Sequence, residues 1–207
     1  MNHLVSVWAK PRKTIRDIID NYPTKLFFPL AAIHGVVHSF HLVIRQGIAF
    51  DVEISDFDIL LMNVVFGAMF GIGLFYLLSF LLIFFGRLLG GHATLRTARC
   101  VLAWAAVPYL PLFIVLIPLL FSMGNIFLHV PFRDVMQGVT GNTAAQYAAK
   151  VYFILRGVMV IWSCVIGVIG LSEALGVSIM KSVGVWVLTI LCIIVPIIVV
   201  LIAATSL

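Results

Sequence analysis

The chain has 207 residues, 63% of them hydrophobic and 10% charged, with a net charge of +5 and a mean hydropathy of +1.19. A soluble domain carries about 25% charged residues, so this composition excludes a water-covered globule and sets most of the outer surface against lipid. The +5 is then an orientation signal, read by position. With no basic run interleaved with aromatics, it argues against nucleic acid as a partner.

These features predict an all-α, polytopic integral membrane protein: a bundle of five transmembrane helices with a short N-terminal interfacial helix. Residues 1–25 form a lead, and residues 26–207 form the transmembrane domain. The lead has no short apolar core before a cleavage site, so no secretory signal is expected. Pro11 suits the first turn of a helix. Ile15, Ile18, Ile19 and Tyr22 then share one helical face, away from Lys13, Arg16, Asp17 and Asp20. Such a helix lies either on the membrane surface or on the bundle's own loops. Trp8, just before it, suits the headgroup level.

Span one is expected over 26–48 and carries His34, His38 and His41. An acidic loop follows, with Asp51, Glu53, Asp56 and Asp58. Span two, over 59–85, is about 40 Å long against a hydrocarbon core of about 30 Å, so it tilts or projects. Its Gly67-x-x-x-Gly71 pattern allows close approach of another helix. The loop with Gly90, Gly91, Arg96 and Arg99 leads into span three, over 100–121. Pro108, Pro111 and Pro118 predict a bend there, because a proline inside a helix removes a hydrogen bond at about 3 kcal/mol. A partly apolar stretch from Ser122 to Asn142 is expected at the interface. Thr143 and Gln146 then form a capping-box pattern, opening a helix whose span runs over 147–171. Span five is expected over 183–204, with no domain after it.

Lys10, Arg12, Lys13, Arg16, Lys25, Arg87, Arg96, Arg99 and Lys181 all fall on one side of this topology. The positive-inside rule therefore puts the N-terminus in the cytoplasm and the C-terminus outside.

Several residues are candidates for chemistry. His34, His38 and His41, at i, i+4 and i+7, share a helix face and are the candidates for a metal or haem. No carboxylate on a facing span completes such a set, so the favoured reading is neutral histidines bonded to neighbouring helices, with no metal and no cofactor. Arg156 is either a snorkelling side chain or part of a substrate site. Glu173 is expected to pair with Lys181, Arg96 or Arg99. Cys100, Cys164 and Cys192 have no ligand spacing and read as small buried apolar residues. No Walker loop, G-x-S-x-G or H-E-x-x-H is present, and Gly90-Gly91 alone is a turn.

The segments Trp8 to Ile19 (WAKPRKTIRDII), Gly90 to Thr94 (GGHAT), Leu102 to Pro108 (LAWAAVP) and Trp162 to Lys181 resemble, in order and spacing, motifs of the Yip-domain (Ypt/Rab-interacting protein) family, prokaryotic type. The resemblance covers nearly the whole chain. It implies five spans, a cytoplasmic N-terminus and a membrane scaffold without catalysis. Eukaryotic members act in vesicle traffic with Rab-type GTPases. The short lead departs from them and points to a bacterial inner-membrane member.

The expectation is therefore a non-catalytic, membrane-organising or trafficking-type scaffold in contact with the lipid bilayer. A protein partner is expected at a cytoplasmic face made by Trp8, Arg12, Gly90, Gly91, Arg96, Arg99, Glu173 and Lys181. The alternative is a small transporter or permease for an ion, metal or lipid, using His38, Tyr152 and Arg156. With five spans, that reading requires a homo-oligomer.

Overall fold

The computed structural model describes residues 2–46 and 55–205. The predicted end of span one, and Asp51 and Glu53 of the acidic loop, lie outside the described residues. Among the described residues every regular element is helical: α1 (His3–Ala9), α2 (Pro11–Asn21), α3 (Phe27–Gln46), α4 (Asp56–Leu88), α5 (Leu95–Ala105), α6 (Tyr109–Phe127), α7 (Phe132–Met136), α8 (Thr143–Leu175) and α9 (Ile179–Thr205).

Four helices are long and apolar enough to cross a bilayer: α3, α4, α8 and α9. The last three keep large apolar side chains exposed, such as Phe66, Phe70, Ile154, Ile161, Val187 and Ile198. A helix that is apolar on all sides must be buried or lipid-facing, and these are not buried, so the surrounding medium is lipid. At 33 residues each, α4 and α8 run about 50 Å and project beyond the hydrocarbon.

Over the predicted span three the chain forms two helices, with α5 ending at Ala105 and α6 beginning at Tyr109. The pair α5 and α6 is long and apolar enough only when taken together. At the break, the N–H groups of Tyr109 and Leu110 donate to the carbonyls of Ala106 and Val107. Pro108 is the N-cap of α6 and Pro111 follows in its first turns, where a missing N–H matters little. Pro118 is the proline inside that helix. A kink follows at Met123, whose backbone is non-helical (φ −140, ψ 22).

Two expectations are corrected. The cap of α8 is Asn142, whose Oδ1 accepts from Ala145 N–H at 3.0 Å, one residue before the predicted Thr143; Asn is the stronger N-cap. Of the cysteines, Cys100 is buried but Cys164 and Cys192 are exposed. In a bundle facing lipid, an apolar position need not be an interior one.

The helices form two compact units, and α4 and α8 contribute a different part to each. Unit 1 holds residues 1–25, 75–105 and 165–207. Its core includes Val7, Ile15, Ile18, Val101, Trp104, Leu171 and Val185, all within 1% of full burial. Ile15 seats on Gly170: a Cβ there would come within 2.7 Å of Ile15 Cδ1 and 3.0 Å of Val101 Cγ1. The apolar face of α2 thus packs on α5 and α8 of the same unit.

Unit 2 holds residues 26–74 and 106–164. Here α3 crosses α4 at Gly35, where an added Cβ would fall 2.6 Å from Gly71 Cα and collide with Gly67 O. The Gly67/Gly71 pair does serve close approach, and its partner is a third glycine. Ser39 Oγ donates to Asn63 Oδ1 at 2.6 Å in the same unit, an interhelical bond of the kind that holds membrane helices together.

Candidate functional site

The sequence-predicted residues fall into two groups, one in each unit. In unit 1, α1 and α2 meet the end of α8. Arg12 and Arg16, one turn apart on α2, both reach Glu173 near the end of α8. Arg12 Nε donates to Oε1, and Arg16 Nη2 and Nε donate to Oε2, the last at 2.8 Å. The Glu173 side chain is 7% exposed, while those of Arg12 and Arg16 are 63% and 66% exposed. A buried carboxylate is thus covered by two cations that remain about two-thirds in solvent. The expected partners Lys181, Arg96 and Arg99 are engaged or placed otherwise. Lys181 Nζ donates to Leu89 O at 3.2 Å, the Arg99 guanidinium lies 4.9 Å from the Tyr76 ring centre, and Arg96 is exposed. Sequence spacing favoured neighbours in the loops; the fold instead brings α2 across a separation of 157 residues.

Two helix ends shape this region. Gly90 and Gly176 hold φ of +86 and +67, a conformation that stops a helix and that L side chains rarely adopt. Gly91 lies against Leu175, whose Cδ2 would be 2.8 Å from an added Cβ. His92 N–H donates to Leu175 O at 3.2 Å. The α4–α5 loop is therefore tied to the end of α8. Trp8 is half-buried on α1. Trp8, Arg12, Gly90, Gly91, Arg96, Arg99, Glu173 and Lys181 all belong to this unit.

Sequence reading missed α1 and its anchor. His3 is buried, with Nε2 2.7 Å from Asp17 Oδ2 and its ring 6.0 Å from that of Trp104. This hydrogen bond from His3 is the main reason the Asp17 carboxyl is held below its ordinary value of 3.8. Thr14 Oγ1 donates to Ser6 Oγ at 3.0 Å, closing α1 on α2. A seven-residue helix has too little periodicity to announce itself.

In unit 2 the polar residues of α3, α6 and α8 gather. His34 and His38 stack at 5.9 Å, His38 and His41 lie 6.4 Å apart, and His34 meets the Tyr109 ring edge-on at 4.5 Å. His41 contacts Phe153 of α8 at 5.1 Å. Tyr109, missed as a site residue, was legible only as a lone tyrosine in an apolar run. On α8, Ala145, Ala149 and Tyr152 are buried and Arg156 is half-buried; Tyr147, Val151, Ile154 and Val158 are exposed. Arg156 thus lies on the inward stripe and not on the lipid-facing one, which argues against simple snorkelling. The stacked rings of His34 and His38 do not converge on a common point. Among the described residues no three His, Cys, Asp or Glu side chains are placed to hold a metal ion. A separate groove of about 360 Å³ in the same unit is lined by apolar side chains, including Phe40, Phe57, Leu61, Phe113 and Phe121.

A family model described as the Yip1 domain matches residues 5–203. No curated protein and no solved structure matches the chain.

Proposed function

The chain belongs to the Yip1 domain family of membrane proteins, and from that premise we propose that it is a non-catalytic, five-span scaffold of a bacterial inner membrane. In this reading α5 and α6 act as one span, the N-terminus is cytoplasmic and the C-terminus is outside. Its role is to organise the membrane by docking a protein partner on the face of unit 1.

The supporting observation is the Arg12–Glu173–Arg16 clamp. It holds a basic helix at the end of α8, which is itself tied to the α4–α5 loop. Loops and short helices fixed on a rigid scaffold are where binding residues concentrate. Lys10, the N-cap of this helix, and Lys13 on it remain exposed, and each charge adds about 1 kcal/mol toward an anionic leaflet. The apolar lining of the groove in unit 2 suits an acyl chain or an apolar helix better than a hydrated solute.

Orientation is tested with reporters: one after Leu207 should be active only outside the cytoplasm, and one fused after Gly90 only inside. The docking face is tested by two full-length variants, R96Q/R99Q and W8A/R12Q. Both should insert normally and lose partner or anionic-vesicle pull-down. Wild-type capture by both variants would count against this face.

A further inference from the structure

We infer that unit 2 contains a binding site for a phosphate-type oxyanion, with Arg156 as its charge partner and Tyr152, His38 and His41 as hydrogen-bond donors.

The first ground is the placement of Arg156. It continues the inward stripe Ala145, Ala149, Tyr152 of α8. Its Nε is buried without a hydrogen-bond partner. Among the described residues no carboxylate pairs with it; the ion pairs formed are those of His3, Arg12, Arg16 and His129. A half-buried inward cation with no carboxylate partner among the described residues is unfavourable in a lipid-surrounded helix, and a bound anion lowers that penalty.

The second ground is the company it keeps. Tyr152, one helical turn before Arg156, is 1% exposed and its hydroxyl has no partner. His41 is 8% exposed, and its Nδ1, like that of His38, is buried without a partner. The ring contact of His41 with Phe153 places this face of α3 against the stripe of α8. Neutral imidazole offers one N–H, tyrosine one O–H and arginine a planar fork of five N–H donors. The set is rich in donors, carries positive charge and has no acid, which is the inverse of a cation site. Arginine's fork matches the paired oxygens of a phosphate.

The same chemistry is offered by a free phosphate and by a lipid headgroup, and the apolar groove of this unit makes the lipid source worth its own arm. The experiment uses the full chain purified in neutral detergent and reads thermal stability and affinity. The probes are inorganic phosphate, dioctanoyl phosphatidate and, as the uncharged control, dioctanoylglycerol. A phosphate-bearing probe should stabilise the wild type, while dioctanoylglycerol should not. A response to phosphatidate alone assigns a lipid headgroup; a response to both assigns a free oxyanion. R156Q should weaken binding about tenfold or more, since a charge-assisted bidentate pair is lost. R156K should fall between, keeping the charge without the fork. Surface binding is separated by K150Q, which removes an exposed cation of the same helix and should bind as the wild type does. Should R156Q fail to fold, Y152F carries the test through its own loss of affinity. Absence of any phosphate-dependent stabilisation, or R156Q or Y152F binding as tightly as wild type, overturns the assignment.

Discussion

Replacing Glu173 with glutamine keeps the shape of the side chain and removes its charge. In unit 1 that carboxylate accepts from Arg12 on one oxygen and from Arg16 on the other. Hydrogen bonds to a charged group contribute about 1.5–3 kcal/mol each, and exposed ion pairs about 0.2–1 kcal/mol. The acceptor here is 7% exposed but both donors are about two-thirds exposed, so water screens the pair and the lower range applies. A loss of roughly 1–2 kcal/mol in the docking of α1 and α2 is expected. Ile15 and Ile18 are fully buried and contribute about 1.5–3 kcal/mol each, so the helices stay docked most of the time. Since 1.4 kcal/mol is tenfold, amide hydrogen exchange across His3–Asn21 should accelerate roughly tenfold. Exchange in α6, in the other unit, should not change. Glu173→Asp, which keeps the charge on a shorter arm, should fall between. Exchange in α1 and α2 within about twofold of wild type would refute the reasoning, because the clamp would then contribute no more than a typical surface pair.

Gly35→Val should destabilise the full chain by 2 kcal/mol or more, an estimate of about the upper range for overpacking, because its Cβ meets the backbone of Gly67 and Gly71; unfolding in denaturing detergent against wild type checks it, and Gly73→Val, with open space around its Cβ, is the control. Asp17→Asn should loosen α1 in a pH-dependent way. The hydrogen bond from His3 lowers the docked-state pKa of Asp17 below 3.8, so its stabilisation is present above 3.8 and is lost as pH falls through the lower docked value. The difference in α1 exchange between wild type and variant should shrink as pH falls below 3.8; a difference that grows on acidification through that range would reverse the sign of the argument.

Apolar length was the strongest signal in the sequence, and α3, α4, α8 and α9 are long and apolar enough to cross a bilayer. The Gly67/Gly71 spacing was legible as a close approach, but its partner was not, because Gly35 is a lone glycine whose meaning depends on which helix crosses it. The prolines of span three predicted a bend; they could not say that two of the three would be absorbed at the start of α6. Partner choice among charges was the least legible. Glu173 has Lys181 near it in sequence, yet that lysine caps the α4 end at Leu89 O, and α2 arrives from the far end of the chain. Pairing of this kind follows from where Ile15 and Ile18 find their pocket, which a linear pattern does not encode. His3 was silent for a similar reason: it acts through Asp17 and Trp104, and these contacts require α1 to fold back on α2 and to reach α5.

The arginines of the two units obey opposite rules. Arg12 and Arg16 sit two-thirds in solvent over a buried acid, so losing one cation leaves the other to cover it and leaves the cation itself hydrated. Arg156 faces inward and, among the described residues, forms no ion pair with a carboxylate. A leucine or glutamine would fit the same stripe and would remove a half-buried charge that has no carboxylate partner among the described residues. Stability alone therefore explains the first arrangement and not the second. Sites that bind a ligand commonly retain groups that destabilise the empty protein. That asymmetry is why the ligand is sought at Arg156, while the exposed surface around Arg12 is assigned to docking.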